Sequence, residues 1–243
     1  VQETFYSADG TEKYLFKLAD GNLIEGVLMK YKYGYTQCVS TQVGCRMGCE
    51  FCASTIGGLV RNLTSGEILS QITVVNRALG GDIKKRLVTN VVLMGSGEPF
   101  DNYDNVVDFL KKVTCSGGLN ISARNISLST CGLVDKIYDF CNEGIALNLT
   151  ISLHSPFDEQ RKKIMPIAKK YKISQILSAC EQYFKVTKRR YIFEYSLIKG
   201  QNDSDKDLQE LYRLLKGKPC HVNLIRLNEV KEKSLIFPIK CCL

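Results

Sequence analysis

A chain of 243 residues with 44% hydrophobic content can bury one large core or two small ones, which excludes global disorder. Its formal charge of +8 suits a polyanionic partner such as nucleic acid, with basic clusters at Lys84-Lys85-Arg86, Arg161-Lys162-Lys163, Lys169-Lys170 and Lys188-Arg189-Arg190. No run of roughly 18 apolar residues appears, and the start, VQETFYSADGTEKYLF, has neither the basic flank nor the apolar core of a secretory signal. A cytoplasmic protein with no membrane association is expected. Eleven cysteines, an odd number in a chain of this size, argue against a disulfide framework and for reduced thiols with metal-binding or catalytic roles.

Along the chain, KYLFKLADGNLIEGVLMKY (residues 13–31) predicts a hairpin turning at Asp20-Gly21, and residues 1–37 a small β extension. Thr64 and Glu67 form a capping-box pattern ahead of Ile68, Leu69, Ile72 and Val75 at helical spacing. NVVLMG (90–95) predicts a buried strand, and Asp101 to Val113 a helix with Val106, Val107 and Leu110 on one face. Strands are expected at 125–132, 146–154, 189–198 and 220–228. Between them, Ser174 is the expected cap of a helix through Leu177 and Cys180, and Ser204 opens a helix closed by Gly217. Cys141 and Cys180 fall on apolar helix faces and are expected in the core. With the strand entering the cysteine loop, βα units repeat about six times. The fold class is therefore α/β, as an open sheet or a partial barrel, with residues 38–232 as its core and 233–243 as a tail. Chemistry belongs at the carboxyl ends of the strands.

VGCRMGCEFCAST (43–55) places Cys45, Cys49 and Cys52 in a C-x3-C-x2-C pattern, eased by Gly44 and Gly48. A structural zinc site wants four ligands, which His154 or Cys38 could complete. A [4Fe-4S] cluster held by three thiolates keeps one iron open for a substrate or cofactor. The spacing alone leaves both open.

The pattern, with aromatic Phe51 before the last cysteine, resembles the radical S-adenosylmethionine superfamily. The likeness narrows with QCVSTQVGCRMGCEFCAS, LMGSGEPFDNYDNVV, SLSTCGLVDKI, LTISLHSPFDEQRKKIMPI and VNLIRLNEV, in that order, from about residue 10 to residue 232. These resemble the 23S ribosomal RNA adenine-C2 methyltransferases, some of which also methylate a transfer RNA adenine. A sister family acting on carbon 8 has alanine where Pro99 stands and cysteine where Val43 stands, so both positions here are of the carbon-2 type.

The resemblance implies a partial (β/α)6 radical SAM barrel with a small amino-terminal β extension. It implies a [4Fe-4S] cluster on Cys45, Cys49 and Cys52, and S-adenosylmethionine held by Gly97, Glu98, Ser129, Ser152, Leu153, His154 and Asn228. It gives Cys38 the role of attacking a methyl-carrying cysteine, so that a disulfide forms and the product leaves. Glu25 is implied as the base that takes the adenine proton. The implied partners are 23S rRNA, tRNA in dual-specificity members, and an electron donor such as flavodoxin or ferredoxin, acting on a monomer.

Two features depart from the family. Its methyl-carrying cysteine lies well beyond the NLI…N motif in an ACGQ-like stretch, whereas this sequence ends in SLIFPIKCCL, and an amino-terminal helical domain is not represented. A fragment, a lost reading frame near Lys233, or a carrier role for Cys241 or Cys242 would each account for this. Truncation or frame loss is the expectation, with a remnant that binds a cluster or RNA without completing methyl transfer as the rival. Other rivals are a zinc-stabilised binding module and a radical enzyme on another substrate.

Overall fold

The computed structural model describes residues 1–226, 230 and 232, arranged in two compact units. Asn228, Cys241 and Cys242 lie outside the described residues, as does the end of the strand expected to reach residue 228.

The first unit holds Val1–Arg46, Gly57–Ser129 and Ile145–Asn148. Its strands are β1 (Glu3–Tyr6), β2 (Glu12–Lys17), β3 (Leu23–Tyr31), β4 (Gly34–Cys38), the short β5 (Gln42–Gly44) and β6 (Leu59–Asn62); α1 (Ser65–Ala78), β7 (Val88–Leu93), α2 (Tyr103–Thr114) and β8 (Ile126–Thr130) follow. β1 to β4 pair antiparallel in order, with the hairpin turning at Asp20-Gly21 as expected, where Asp20 accepts from the Asn22 amide. β4 then pairs parallel with β7, and β7 with β8.

Alternation decides which face each strand buries. Tyr14 and Phe16 of β2, Ile24 and Leu28 of β3, Val91 and Leu93 of β7 and Ile126 and Leu128 of β8 are all buried. Ile68, Ile72 and Val75 of α1 and Val106, Phe109, Leu110 and Val113 of α2 are buried as well, and the two helices pack together. The α1 start follows the predicted capping box: Thr64 Oγ1 accepts from the Glu67 amide, and the Glu67 carboxylate accepts from the Thr64 amide. The β5–β6 ribbon at the base of the cysteine loop was not expected, because strands of three and four residues carry too little pattern to read.

The second unit holds Met47–Ile56, Thr130–Gly144 and the described residues from Leu149 onward. Its elements are α3 (Val134–Cys141), β9 (Asn148–Ser152), α4 (Asp158–Ile164), α5 (Ile173–Thr187), β10 (Tyr191–Leu197), α6 (Asp205–Leu215) and β11 (Cys220–Arg226). β9, β10 and β11 pair parallel with β10 in the middle. α3 packs on α5, where Phe140 and Tyr183 stack at 6.2 Å, and Cys141 and Cys180 are buried as expected. Ser204 caps α6 with Asp207 in the reciprocal position, and Gly217, at φ +77°, follows its end.

Ser174 does not cap α5. The helix starts at Ile173, with Lys172 in the cap position, two residues earlier than a cap at Ser174 would place it. The Asp158 carboxylate, fifteen residues upstream, accepts from the Ile173 amide, and Gln175 accepts from the Lys172 amide. A cap delivered from α4 removes the need for a local serine. Thr64→Ala deletes one half of the α1 box and is expected to lower unfolding free energy by about 1 kcal/mol in urea denaturation, with the m-value unchanged.

Candidate functional site

In the first unit the segment leaving β4 is held by side chains from distant positions. The Gln71 amide of α1 bonds both backbone groups of Ser40: its Oε1 accepts from the Ser40 amide at 2.9 Å and its Nε2 donates to the Ser40 carbonyl at 2.9 Å. Asn102 donates to the Thr41 and Leu63 carbonyls. The G-S-G-E-P turn lies against this segment. Ser96 accepts from the Thr41 and Gln42 amides, and Gln42 Oε1 accepts from the Glu98 amide at 2.9 Å. Gly97 has φ +108°, and a Cβ there would stand 2.7 Å from the Gln42 side chain, so no other residue fits. Glu98 is buried and its carboxylate accepts from the Phe100 amide, capping the short 3-10 turn at Pro99–Asn102.

Register places the expected catalytic residues on one face. Cys38 pairs with Val27 of β3 and Val92 of β7, and Val92 pairs with Ser127. Paired residues share a face, as do residues two apart along a strand. Glu25, Cys38 and Ser129 therefore lie on the face opposite the buried Ile24, Leu28, Val91 and Leu128. Burial pushes the Cys38 thiol up to about 11, so it is protonated at neutral pH. Glu25 is half-exposed and ion-paired with Lys13 at 2.6 Å, while its carbonyl accepts from Ser40 Oγ.

Gly44, at φ +74°, starts the cysteine loop. A Cβ there would meet the Gly58 carbonyl oxygen at 1.9 Å, and the same oxygen accepts from the Cys45 amide. Cys45 belongs to the first unit, Cys49 and Cys52 to the second. Cys45 and Cys49 are buried, and all three thiols are outside any disulfide. Around Cys49 pack Cys131, Ile164, Met165 and Ile198, with Phe51 and Leu133 at the edge. Among the described residues no three histidine, cysteine, aspartate or glutamate side chains stand ready to hold a metal ion. The donor chemistry, three thiols on one short loop, still fits a cluster with one open iron better than a four-ligand zinc site.

In the second unit Arg161 of α4 is fully buried. Nη2 donates to the Cys131 and Ser152 carbonyls at 2.7 and 3.1 Å, and Nε to the Leu153 carbonyl at 3.1 Å. One guanidinium thus ties the turn after β8 to the turn after β9. His154 has φ +54°, in the left-handed region that favours glycine. Asn202 holds it there: its Nδ2 donates to the His154 and Ser196 carbonyls, and its Oδ1 accepts from the Ile198 amide. His154 Nδ1 accepts from the Ser196 amide at 2.9 Å, and its ring meets Phe51 edge to face at 4.6 Å. Ser152, Leu153 and His154 are therefore brought together with the aromatic residue of the cysteine loop. Gln71 and Asn202 had no motif to mark them in the sequence, and Arg161 was marked there only as part of a basic cluster, whereas its guanidinium is fully buried on backbone carbonyls.

A family model described as the radical SAM superfamily matches residues 39–215. The chain belongs to the radical SAM superfamily. Within it, the chain is 58% identical over 235 residues to a Clostridium botulinum protein named probable dual-specificity RNA methyltransferase RlmN, across 96% of this chain and 66% of that one. It thus spans just under two thirds of the length of that curated relative. The crystal structure of a radical SAM methyltransferase from Sphaerobacter thermophilus superposes with a TM-score of 0.92 at 43% identity, covering 97% of this chain and 69% of the other. Streptococcus suis SuiB bound to S-adenosylmethionine shares the fold at a TM-score of 0.58 and 12% identity, over 83% of this chain and 43% of that one. The α/β expectation, with parallel strands covered by helices in the radical SAM pattern, is borne out. Among the described residues no helix is long and apolar enough to cross a membrane.

Burial holds His154 down at about 3, and the Ser196 amide needs its Nδ1 unprotonated. The native chain keeps this ring neutral, while the unfolded chain takes up a proton below its ordinary value of about 6.5. The His154 contribution to stability is present above that pH and is lost as pH falls towards 3. Urea denaturation from pH 7 to pH 5 is expected to show this loss, and His154→Gln to flatten it.

Proposed function

We propose that this chain is the catalytic part of a radical S-adenosylmethionine methyltransferase that acts on RNA, adding a methyl group to carbon 2 of an adenine in 23S rRNA and, as a dual-specificity enzyme, in tRNA. The observation that carries this is 58% identity over nearly the whole chain to proteins named as dual-specificity RNA methyltransferases. The charge of +8 agrees with an RNA partner.

Cys45, Cys49 and Cys52 would hold a [4Fe-4S] cluster, and Gly97, Glu98, Ser129, Ser152, Leu153 and His154 would hold S-adenosylmethionine. Asn228, outside the described residues, belongs to the same proposed set. Bound there, the pair would supply radical chemistry, with its electron drawn from a donor such as flavodoxin or ferredoxin. The chain's own groups do the positioning. Gln42 and the Gly97 turn fix the Glu98 backbone, and Arg161 fixes the carbonyls of Ser152 and Leu153. The apolar shell at Cys49, made by Ile164, Met165 and Ile198, keeps water from that thiolate.

Cys38 is the thiol proposed to attack the sulfur of the methyl-carrying cysteine: a disulfide would form, the sulfur–carbon bond to the modified adenine would break, and its electron pair would stay on that carbon, which takes a proton as the methylated product leaves. Cys38 is protonated as placed, so exchange requires a base or a shift of its surroundings when RNA arrives. Glu25, on the same face, is the proposed acceptor of the adenine proton, and it would have to leave Lys13 to act.

The test is mass spectrometry of adenosines from 23S rRNA and tRNA incubated with reconstituted protein, reductant and S-adenosylmethionine. In protein that also carries the methyl-bearing cysteine, methyl label on adenine carbon 2, lost in Cys49→Ala, is expected; label on carbon 8, or none in either RNA, would refute the assignment.

A further inference from the structure

Three of the turn clamps are neutral amides: Gln71 donates to Ser40, Asn102 to Thr41 and Leu63, and Asn202 to His154 and Ser196. Arg161 does similar work with a charge, and it is fully buried. Its Nε and Nη2 are spent on the Leu153, Ser152 and Cys131 carbonyls. Nη1 is buried as well and has no hydrogen-bond partner among the described residues. A charge is far harder to bury than an amide, so clamping alone does not account for a guanidinium with one end idle.

The place of this clamp sets it apart, because the cysteine loop docks on the end of the same helix. The Glu50 amide donates to the Ile164 carbonyl at 2.9 Å, and a Cβ on Gly48 would stand 3.3 Å from the Pro166 ring. Cys49 packs with Cys131, whose carbonyl holds Nη2, and with Ile164 and Met165, one turn beyond Arg161. Burial pulls the Arg161 pKa down, and the Cys131 and Cys49 thiols and the Asp158 carboxylate act against that.

We propose that Nη1 donates to a sulfur of the [4Fe-4S] cluster at the edge Cys49 would hold, and that the Arg161 charge raises the potential at which the cluster takes its electron. The thiolates of Cys45, Cys49 and Cys52 would make the assembly anionic. One electron from a reduced flavin or iron–sulfur donor, arriving with no proton, adds a further negative charge. In the apolar shell of Ile164, Met165 and Ile198 that charge is costly, and a buried cation offsets it. Net charge and hydrogen bonds to the sulfurs are among the factors that set such potentials. Arginine does not lose its proton, so the offset is permanent. The proposal rests on the reading of this chain as a cluster-binding radical enzyme.

The experiment is a potentiometric titration of the reconstituted chain without S-adenosylmethionine, followed by the EPR signal of the reduced cluster. Arg161→Met, close in size but neutral, is expected to shift the one-electron equilibrium about tenfold or more towards the oxidised cluster, a potential lower by about 59 mV or more. Arg161→Lys restores the charge but not the fork that holds the carbonyls, and is expected to recover most of that shift. An unchanged potential in Arg161→Met, or one as low in Arg161→Lys, overturns the proposal and leaves only a clamp. Should Arg161→Met not fold or hold a cluster, the unmodified chain decides. Pulsed EPR of protein isotopically labelled only at its arginine guanidinium nitrogens is expected to show a nitrogen coupled to the reduced cluster, and no coupling overturns the proposal. Arg46, beside Cys45, keeps its own guanidinium on Asp101. An unmodified chain that assembles no [4Fe-4S] cluster overturns the underlying reading, and the proposal with it.

Discussion

Parallel strands that end inside a protein leave backbone amides and carbonyls without the partners that the ladder gave them. Left dry and unpaired, each such group costs about 1–3 kcal/mol, and water is excluded from a buried turn. Here the turns after the strands are closed by buried side chains sent from elsewhere in the chain. In the first unit Gln71 takes both backbone groups of Ser40, Asn102 takes the Thr41 and Leu63 carbonyls, and Gln42 receives the Glu98 amide. In the second, Arg161 takes three carbonyls around Cys131 and Ser152, and Asn202 holds the His154 turn.

These clamps link stability to chemistry. The segments they hold carry the residues assigned to cofactor binding: Gly97 and Glu98 in one unit, Ser152 to His154 in the other. Arg161 shows the trade most clearly. A fully buried guanidinium is hard to desolvate, and no carboxylate among the described residues is within ion-pairing distance to offset it. Its return is three hydrogen bonds to strand-end carbonyls and a positive charge felt at Cys131 and Cys49. A left-handed histidine and glycines that tolerate no Cβ are the same economy in backbone form: strained or crowded positions that persist because their surroundings hold them.

How much of this was legible in the sequence follows from distance along the chain. The Thr64 and Ser204 caps reach three residues and were readable, as was the turn at Asp20-Gly21. The long parallel strands were readable too, because alternation and β-branched runs are local. Ser174 misled because the true cap of α5 comes from Asp158 in another helix. The clamps were invisible for the same reason: Gln71 stands 31 residues from Ser40, Arg161 stands 30 from Cys131, and Asn202 stands 48 from His154. A glutamine in a helix reads as solvent-facing until the fold brings a bare backbone to it. The cysteine loop was the reverse case, since spacing along the chain is what its chemistry requires.

The central claim is that three thiols on one loop hold a cluster that cleaves S-adenosylmethionine. The direct measurement is iron and sulfide content of anaerobically reconstituted protein, followed by dithionite, S-adenosylmethionine and chromatography for 5′-deoxyadenosine. About four irons per chain and 5′-deoxyadenosine, both lost in Cys49→Ala, are predicted. Bound zinc in place of iron, or a complete cluster that never yields 5′-deoxyadenosine, would contradict the account.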